Sequence, residues 1–433
     1  MSTEMPGARD NLPPTPSTRS SIGNALTVAV AGLVANGLNL VVTIVLARIL
    51  PVRDHSAAYG AFAQMVGVFI VVSLPGSAIA IAVVRRSSWW LSRGGNLELE
   101  AWRRSVSKMA LRAMGLFGLV ALIAAPLVGS ALGGRSWLAV LLIILAAGCW
   151  VAIAIERAFL QSCRAYLPLS GNLLIEGLGR TVAVLAGASV WGVTGAVGGI
   201  LVTELVTWGH AWWAASRSVP DPLRSAPGTP PRGELGGDLA AAVLAFAMLA
   251  MLQYVDVFLV GRDNPTGAGP YAAMQVVAKT LVYVAIVLSY YLLPEASLGH
   301  RAGGHARRQL AVVLALYAVP SVALLGISAL APRQLLAIVY PERLLGASGS
   351  LLLLVGAMSL LGLSFLLATY LLARGARLVA AWLFAGTLFA FYAVSTAHGA
   401  WHLTAWRDLQ AQLVVAVGLA AGTLVALARR PAG

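Results

Sequence analysis

The sequence predicts an all-α integral membrane protein with about twelve transmembrane helices, in two six-helix lobes around a central cavity. Three observations lead to this fold class: 59% of the 433 residues are hydrophobic, only 11% are charged, and the mean hydropathy is +0.83. Soluble domains are usually about half apolar and about one quarter charged. Because the apolar runs are long and do not alternate, they favour helices over the strands of a membrane barrel.

Twelve apolar runs have the ~20 residues that a helix needs to cross a hydrocarbon core. We predict spans at 25–47, 60–84, 109–130, 138–160, 168–190, 193–214, 238–260, 271–293, 309–330, 348–371, 377–397 and 408–428. The shortest connection is Trp191-Gly192, between the fifth and sixth spans. The first run lacks a cleavage site, so we interpret it as a retained span and not as a signal peptide.

A Pro-, Gly- and Ser-rich stretch at 216–237 divides the spans into six plus six. It predicts a cytoplasmic linker between an N-terminal lobe (21–215) and a C-terminal lobe (238–433), with residues 1–20 forming a disordered cytoplasmic tail. The two lobes share a short pattern, Ala47-Arg48-x-x-Pro51 before Tyr59-Gly60-Ala61 and Gly261-Arg262-x-x-Pro265 before Tyr271-Ala272-Ala273. Because both copies enter from the same side, a parallel pseudo-repeat is predicted.

The basic residues predict the orientation. With the N-terminus inside, 21 of the 30 Lys and Arg residues lie on the cytoplasmic side and seven lie outside. The positive-inside rule therefore places both termini in the cytoplasm. The net charge of +14 comes from short loops between apolar runs, so it does not indicate nucleic-acid binding. The two cysteines show no metal-ligand spacing, and His398 and His402, four residues apart, have no third ligand near them, so no metal site is predicted.

Ionisable side chains within spans are costly in hydrocarbon and are default candidates for function. Six lie inside the predicted spans: Glu156, Glu176, Arg180, Glu204, Asp256 and Lys279. Glu176 precedes Arg180 by four residues, the better order for an intrahelical ion pair. For this pair and for Asp256, a structural role and a cavity role both stay open. Lys279 has no obvious local partner, which favours a cavity role.

Uncharged polar residues lie in the same predicted spans. Asn36 and Asn39 are in the first span, Gln253 in the seventh, and Tyr283 in the eighth, one turn from Lys279. Amides and aromatic rings suit a sugar, although single polar groups also hold membrane helices together. The candidate substrate-cavity residues are therefore Arg180, Lys279, Asn36, Asn39, Gln253 and Tyr283. The candidate ion-coupling or structural charges are Glu176, Glu204 and Asp256.

Two segments resemble Wzx-type polysaccharide flippases. Residues 32–64, GLVANGLNLVVTIVLARILPVRDHSAAYGAFAQ, are similar to the family's opening, an Asn-bearing helix followed by LAR-L-P and YG-FA patterns. Residues 254–279, YVDVFLVGRDNPTGAGPYAAMQVVAK, resemble the start of its second lobe. The resemblance implies the multidrug/oligosaccharidyl-lipid/polysaccharide exporter (MOP) superfamily, whose members have two six-helix lobes around a central cavity.

The resemblance also implies a function. We expect a transporter, not an enzyme, that moves a polyprenyl-diphosphate-linked oligosaccharide across the bacterial cytoplasmic membrane in cell-surface polysaccharide biosynthesis. Arg180 and Lys279 would attract the diphosphate, while Glu204 or Asp256 would couple transport to an H⁺ or Na⁺ gradient without a cofactor. The expected partners are the lipid-linked oligosaccharide, membrane lipids, and a polymerase or glycosyltransferases of the same pathway, but not nucleic acid.

Other functions stay open at this point. A cation-coupled multidrug or small-molecule antiporter has twelve spans too, and an apolar, aromatic cavity would favour it. A membrane glycosyltransferase, polysaccharide polymerase or ligase would need acid/base or metal-binding groups on a sizeable outer loop. The predicted outer loops have only about ten residues, which argues against such an enzyme. A non-transporting scaffold is disfavoured by the intramembrane charges.

Overall fold

The computed structural model describes residues 18–50, 57–91, 95–219, 235–298 and 303–428. The N-terminal lobe contains α1 (Thr18–Ile49), α2 (Ala57–Ser73), α3 (Gly76–Leu91), α4 (Asn96–Ala131), α5 (Trp137–Ser162) and α6 (Tyr166–Ser218). The C-terminal lobe contains α7 (Leu235–Leu252), α8 (Val255–Asp263), α9 (Ala268–Ala278), α10 (Thr280–Leu298), α11 (Gly303–Leu330), α12 (Pro332–Val339), α13 (Leu351–Ala373), α14 (Leu378–Ser395) and α15 (Trp401–Ala428). Two 3₁₀ turns, Glu342–Leu344 and Ser348–Ser350, precede α13.

The predicted number of spans agrees with the helices. Ten described helical segments are long and apolar enough to cross a membrane, and the bent pair α7–α8 makes eleven. Helix α6 supplies two spans, because its backbone leaves helical geometry at Trp191 and Gly192. Its two arms pack antiparallel, so that a Cβ on Gly187 would overlap the Gly195 carbonyl of the other arm. The described residues therefore form twelve spans, as predicted.

The two lobes repeat one packing scheme. In the N-terminal lobe α5 packs against α2, α3, α4 and α6, and in the C-terminal lobe α13 packs in the same way against α9, α10, α11 and α15. Helices α5 and α13 are the most buried of the described spans, and 67% of the most apolar segment of each lies inside the protein. Six spans per lobe in the same order and direction confirm the predicted parallel pseudo-repeat.

Two of the described spans are interrupted. The second is interrupted at Leu74-Pro75, where proline cannot donate a helical hydrogen bond. The seventh bends by 43° between α7 and α8. A break frees main-chain carbonyls that must find other partners inside a membrane. The bend of the seventh span adjoins the predicted site residue Gln253, whereas Lys279, between α9 and α10, keeps helical backbone angles.

The predicted linker, 216–237, falls between α6 and α7, although both helices extend into its ends, to Ser218 and from Leu235. Helix α1 begins at Thr18, inside the predicted tail 1–20, whose residues 1–17 lie outside the described residues. We call the end of the bundle that carries the linker the linker end. The opposite end, which carries the 132–136 and 331–350 connections, is the far end.

The lobes are joined tightly at the far end. The Arg343 guanidinium donates to the main-chain oxygen of Ala47 at 2.6 Å, and the hydroxyls of Tyr59 and Tyr340 are 3.2 Å apart. Arg135 donates to Gln64 at 2.7 Å and to the Gly261 carbonyl at 3.2 Å. We call these contacts the far-end clamp: the Arg135–Gln64 bond lies within the N-terminal lobe, and the other three link α1, α2 or the α4–α5 turn to the C-terminal lobe.

Candidate functional site

A chain of buried ion pairs crosses the N-terminal lobe. Arg157 of α5 donates to Glu176 at 2.7 Å, and Glu176 accepts from Arg180, one turn further along the first arm of α6, at 2.9 Å. Arg180 also donates to Glu204 of the second arm, whose side chain is fully buried. Two arginines and two carboxylates balance, as burial of charge in a membrane protein requires.

The same chain continues through uncharged groups toward the linker end. Arg157 donates through Nε to Asn172 Oδ1 at 2.6 Å. The Asn172 amide nitrogen donates to the Thr207 carbonyl at 2.9 Å and lies 3.0 Å from Nδ1 of His210. Asn172, Glu176 and Arg180 share one face of the first arm of α6, which the antiparallel second arm faces with Thr207 and Glu204. The hairpin therefore determines the position of the whole network.

A second polar cluster lies inside the C-terminal lobe, around Asp256 in the first turn of α8. Its carboxylate accepts from Gln275 at 2.7 Å, from Tyr271 at 3.0 Å and from the main-chain nitrogen of Val257 at 2.8 Å. The Lys279 ammonium lies 2.9 Å from the centre of the Tyr254 ring. It is also within electrostatic range of both Asp256 and Asp408. One ammonium thus faces two carboxylates.

Side-chain amides compensate the break between α7 and α8. Gln412 of α15 donates to the Leu252 carbonyl at 3.1 Å, and Gln275 of α9 donates to the Gln253 carbonyl at 2.9 Å. Gln412 also donates to Asp408 at 3.1 Å. The other carboxylate oxygen of Asp408 and the amide oxygen of Gln412 are buried without a hydrogen-bond partner among the described residues. The cluster therefore retains unused acceptor capacity.

The two clusters approach each other across the space between the lobes. Arg180, with 16% of its side chain exposed, lies with its guanidinium 5.5 Å from the centre of the Phe69 ring. Tyr283 of α10 is 46% exposed, adjoins Tyr254 and is within electrostatic range of Arg180. Nearer to the linker end, a cavity of only about 20 Å³ separates Leu74 from Phe246, room for about one water molecule.

A larger groove of about 750 Å³ lies between α1 and both arms of α6. Its walls are mostly apolar and include Val30, Val34, Leu167 and Trp213. His210 also lines it and joins it through Asn172 to the ion-pair chain. The hydroxyl of Ser170, another lining residue, is buried without a hydrogen-bond partner among the described residues. An apolar surface and a line of guanidinium groups therefore lie side by side.

The structure brings together most of the predicted site residues. Glu176, Arg180 and Glu204 form one network, and Gln253, Asp256 and Lys279 belong to the other, with Tyr283 exposed between them. Lys279 is only 2% exposed, so it is enclosed in its cluster and does not line the open space. The Asn36 side chain lies outside the described residues. Asn39 is half-buried on α1, and no partner for its amide oxygen is found among the described side chains.

Sequence reasoning missed several members of the two clusters, among them Arg157, Tyr271, Gln275, Asp408 and Gln412. Arg157 is one of the 21 cations that the sequence assigns to the cytoplasmic side, but α5 continues to Ser162 and the Arg157 side chain is only 11% exposed. Asp408 marks the start of the predicted twelfth span, whereas α15 begins seven residues earlier, at Trp401. The i,i+4 spacing of Asp408 and Gln412 within one helix was the available signal.

The comparisons with known proteins concern the fold. No family model matches the sequence, and no curated protein matches it. Among solved structures, an inward-facing multidrug resistance MATE family transporter of the MOP superfamily matches at 12% identity and TM-score 0.66, covering 90% of this chain and 94% of that one. The fold is that of the MOP superfamily transporters.

Two further solved structures match the same fold. The eukaryotic MATE transporter AtDTX14 matches at 14% identity and TM-score 0.66, covering 95% of this chain and 96% of that one. The lipid II flippase MurJ matches at 12% identity and TM-score 0.59, covering 94% of this chain and 91% of that one. Since the MOP fold includes multidrug transporters and a lipid flippase, the fold by itself is compatible with both functions considered above.

Proposed function

We propose that this chain is an alternating-access transporter of the Wzx type, which moves a polyprenyl-diphosphate-linked oligosaccharide across a bacterial cytoplasmic membrane. The observation that carries the proposal is the apolar groove beside the Arg157–Glu176–Arg180 chain. An isoprenoid diphosphate combines an apolar chain with an anionic group, and each half finds a matching surface there. Arginine is the side chain best suited to phosphate oxygens, through bidentate hydrogen bonds.

The proposal assigns roles to the residues that face the space between the lobes. Arg180 contacts the diphosphate, because it is the partly exposed cation of its network. The rings of Phe69 and Tyr283 and the amide of Asn39 bind the sugars. Lys279 attracts the diphosphate only from inside its cluster, through its field and not by contact. Glu204 and Asp256 are the proposed coupling carboxylates for an H⁺ or Na⁺ gradient.

Movement of the head group follows from two lobes that open in turn. The far-end clamp closes one end of the space between them, while Tyr283 and Val287, one turn apart on α10, are exposed. The proposed cycle loads substrate from the linker end, which the charge distribution places in the cytoplasm, and releases it after the clamp opens. The polymerase or glycosyltransferases of the pathway would then use the flipped lipid.

The test is a sidedness assay in vesicles that contain the purified protein and a fluorescent lipid-linked oligosaccharide. We expect the native protein to move the label to the opposite leaflet, and Arg180→Lys to reduce the rate at least tenfold. Arg333→Gln, which removes an exposed far-end arginine, is the matched control and should retain the native rate. Unchanged sidedness with the native protein would reject the flippase proposal.

A cation-coupled small-molecule antiporter is a second candidate, and the C-terminal cluster favours it. Asp256 and Asp408 outnumber the single ammonium of Lys279, and the cluster has unused acceptor atoms on Asp408 and Gln412. Such a site suits a driving cation. Ion-driven efflux of a cationic dye from the same vesicles, lost in Asp408→Asn, together with no movement of the lipid-linked sugar, would establish this alternative.

A further inference from the structure

Helix α4 carries a row of exposed residues that changes character along its length. At 36 residues it is about 54 Å long, well beyond a hydrocarbon core of ~30 Å. Residues spaced three or four apart form one stripe of a helix. One exposed stripe of α4, which we call the α4 row, consists of Arg104, Lys108, Arg112, Leu116, Val120, Ile123 and Leu127. It is cationic near the linker end and apolar beyond Arg112.

The change from cations to apolar side chains marks a membrane boundary. Leu116 and Leu127 are 65% and 69% exposed, which fits contact with lipid chains. The opposite face of the first α4 turns is buried, with Leu99 and Val106 in a small core formed with α3, α5 and α6. The helix is therefore held against the lobe by this face, and the α4 row lies on its outward-facing side.

Two of the three cations in the α4 row are not paired with a carboxylate among the described residues. Arg104 donates to Glu100 at 2.7 Å, a carboxylate that it shares with the buried Arg103. Lys108 and Arg112 form no ion pair among the described residues, and they are one helical turn apart. Two neighbouring positive charges at the edge of an apolar surface attract an anionic headgroup.

The corresponding helix of the other lobe differs. In the pseudo-repeat α11 takes the place of α4, since each packs on the central helix of its lobe. Its exposed cations, Arg307 and Arg308, fall within a single turn, and the exposed residues Val312, Leu316 and Val319 follow at once. A cationic row of two further turns is thus particular to α4 and does not come from the shared fold.

We propose that the α4 row binds an anionic phospholipid, with its phosphate on Lys108 and Arg112 and one acyl chain along Leu116, Val120 and Ile123. The phosphate then lies at the membrane boundary, within reach of both cations, and the chain covers side chains that already face lipid. The proposal does not depend on the transported substrate, because the α4 row lies on the outer surface of the N-terminal lobe.

The experiment is native mass spectrometry of the purified full chain titrated with phosphatidylglycerol or phosphatidylcholine. We expect one tightly bound phosphatidylglycerol, lost in Lys108→Gln/Arg112→Gln with about thirty-fold weaker binding, and retained in Lys108→Arg. Thirty-fold is ~2 kcal/mol, the value expected for two cations near an anionic surface at about 1 kcal/mol each.

The matched control is Arg307→Gln/Arg308→Gln, which removes the same charge from the linker end of α11 and should leave this binding unchanged. Thermal unfolding checks that both double variants are folded. Equal affinity for phosphatidylcholine, equal loss in the two double variants, or undiminished binding in the α4 double variant would overturn the proposal. Since lipid binding is read without transport, failure of the flippase proposal would leave this result unaffected.

Discussion

Arg180 is the residue on which the N-terminal network depends, because it is hydrogen-bonded to two buried carboxylates on different arms of α6. Removing one partner of a buried ion pair leaves an uncompensated charge, whereas removing both partners costs much less. This difference separates the contribution of Arg180 to folding from its proposed contact with substrate.

Replacing Arg180 should therefore destabilise the protein. For Arg180→Gln we expect a loss of about 3–5 kcal/mol in the free energy of unfolding, seen as a lower thermal midpoint in detergent. In Arg180→Gln/Glu204→Gln the buried carboxylate at 204 is neutral, so much of that stability should return. If the stabilised double variant transports more slowly than Glu204→Gln alone, Arg180 contacts the substrate; if the two variants transport equally, the role of Arg180 is structural.

For single residues, the sequence predicted which charged side chains lie within the spans, but it did not predict which side chains they contact. An ionisable residue in an apolar run stands out, so Glu176, Arg180, Glu204, Asp256 and Lys279 were found from the spans alone. Their partners depend on which helices become neighbours, and this is a property of the tertiary fold. Lys279 shows the difference, because its apparent isolation in the sequence ends once α15 brings Asp408 toward it.

The α6 hairpin is the element with the closest backbone approach. Gly187 and Gly195 face each other across the arms, and Gly199 faces the Ala183 carbonyl, at positions where a Cβ would overlap main-chain atoms. Small residues let membrane helices approach in this way. The hairpin keeps Glu204 within reach of Arg180, so its spacing controls the ion-pair network.

A larger side chain in this contact should separate the arms. We expect Gly187→Val to destabilise the protein by at least ~1–3 kcal/mol, the usual cost of overpacking, and to lower the yield of monodisperse protein in size-exclusion chromatography. Gly209→Val lies in the same helix with no atom within 4 Å of its Cβ position and is the control. Equal yields for the two variants would contradict this interpretation of the contact.

The break between α7 and α8 is a second element whose stability can be tested. Gln275→Leu removes the donor to the Gln253 carbonyl and to Asp256, leaving buried acceptors unpaired at a cost of about 1–3 kcal/mol each. The thermal midpoint should fall clearly. Gln161→Leu, at an exposed position near the end of α5, should leave it nearly unchanged.

The sequence predicted the helices well and their irregularities less well. Apolar length identified twelve spans, and Trp191-Gly192 separated the fifth from the sixth, because Gly192 adopts a positive φ of 57°. The 43° bend of the seventh span carries no such signal, since no proline or glycine lies between α7 and α8. Hydropathy averages over ~20 residues and does not detect a break of one or two.

On the scale of the whole molecule, the far-end clamp is the contact that must open if the lobes alternate. Arg135 and Arg343 donate across the interface to the main-chain oxygens of Gly261 and Ala47. Charged hydrogen bonds of this kind contribute about 1.5–3 kcal/mol each. These hydrogen bonds favour the state with a closed far end but still permit opening. A change of ~1.4 kcal/mol in the free-energy difference between the closed and open states changes their population ratio tenfold.

Removing the clamp arginines should favour opening of the far end. In Arg135→Ala/Arg343→Ala we expect a cysteine placed at Ala268, which is buried against Gly60 of the other lobe, to react at least tenfold faster with a membrane-impermeant maleimide. Cys149 and Cys163 are first replaced by serine. Arg333→Ala, a surface arginine beside Glu342, is the control and should react as the parent does; no acceleration in the double variant would argue against the clamp.

The two-lobed organisation was predictable because composition and repetition express it directly: a polar linker at 216–237, six apolar runs on each side, and one pattern present in both halves. The clamp was not predictable, because Arg343 is bound to the Ala47 backbone across 296 residues of sequence. Every residue type has a main-chain carbonyl, so the identity of residue 47 does not indicate this contact.

That choice of acceptor has a consequence for how the protein responds to acidity. Guanidinium groups remain protonated throughout the physiological range and carbonyl oxygens do not titrate there, while burial raises the pKa of Tyr340 to about 12, far above that range. The far-end clamp should therefore hold equally well at pH 5 and pH 8. Any acid dependence of transport would then originate in the buried carboxylates. The free energy that the clamp adds to opening of the far end should be the same at every pH in this range.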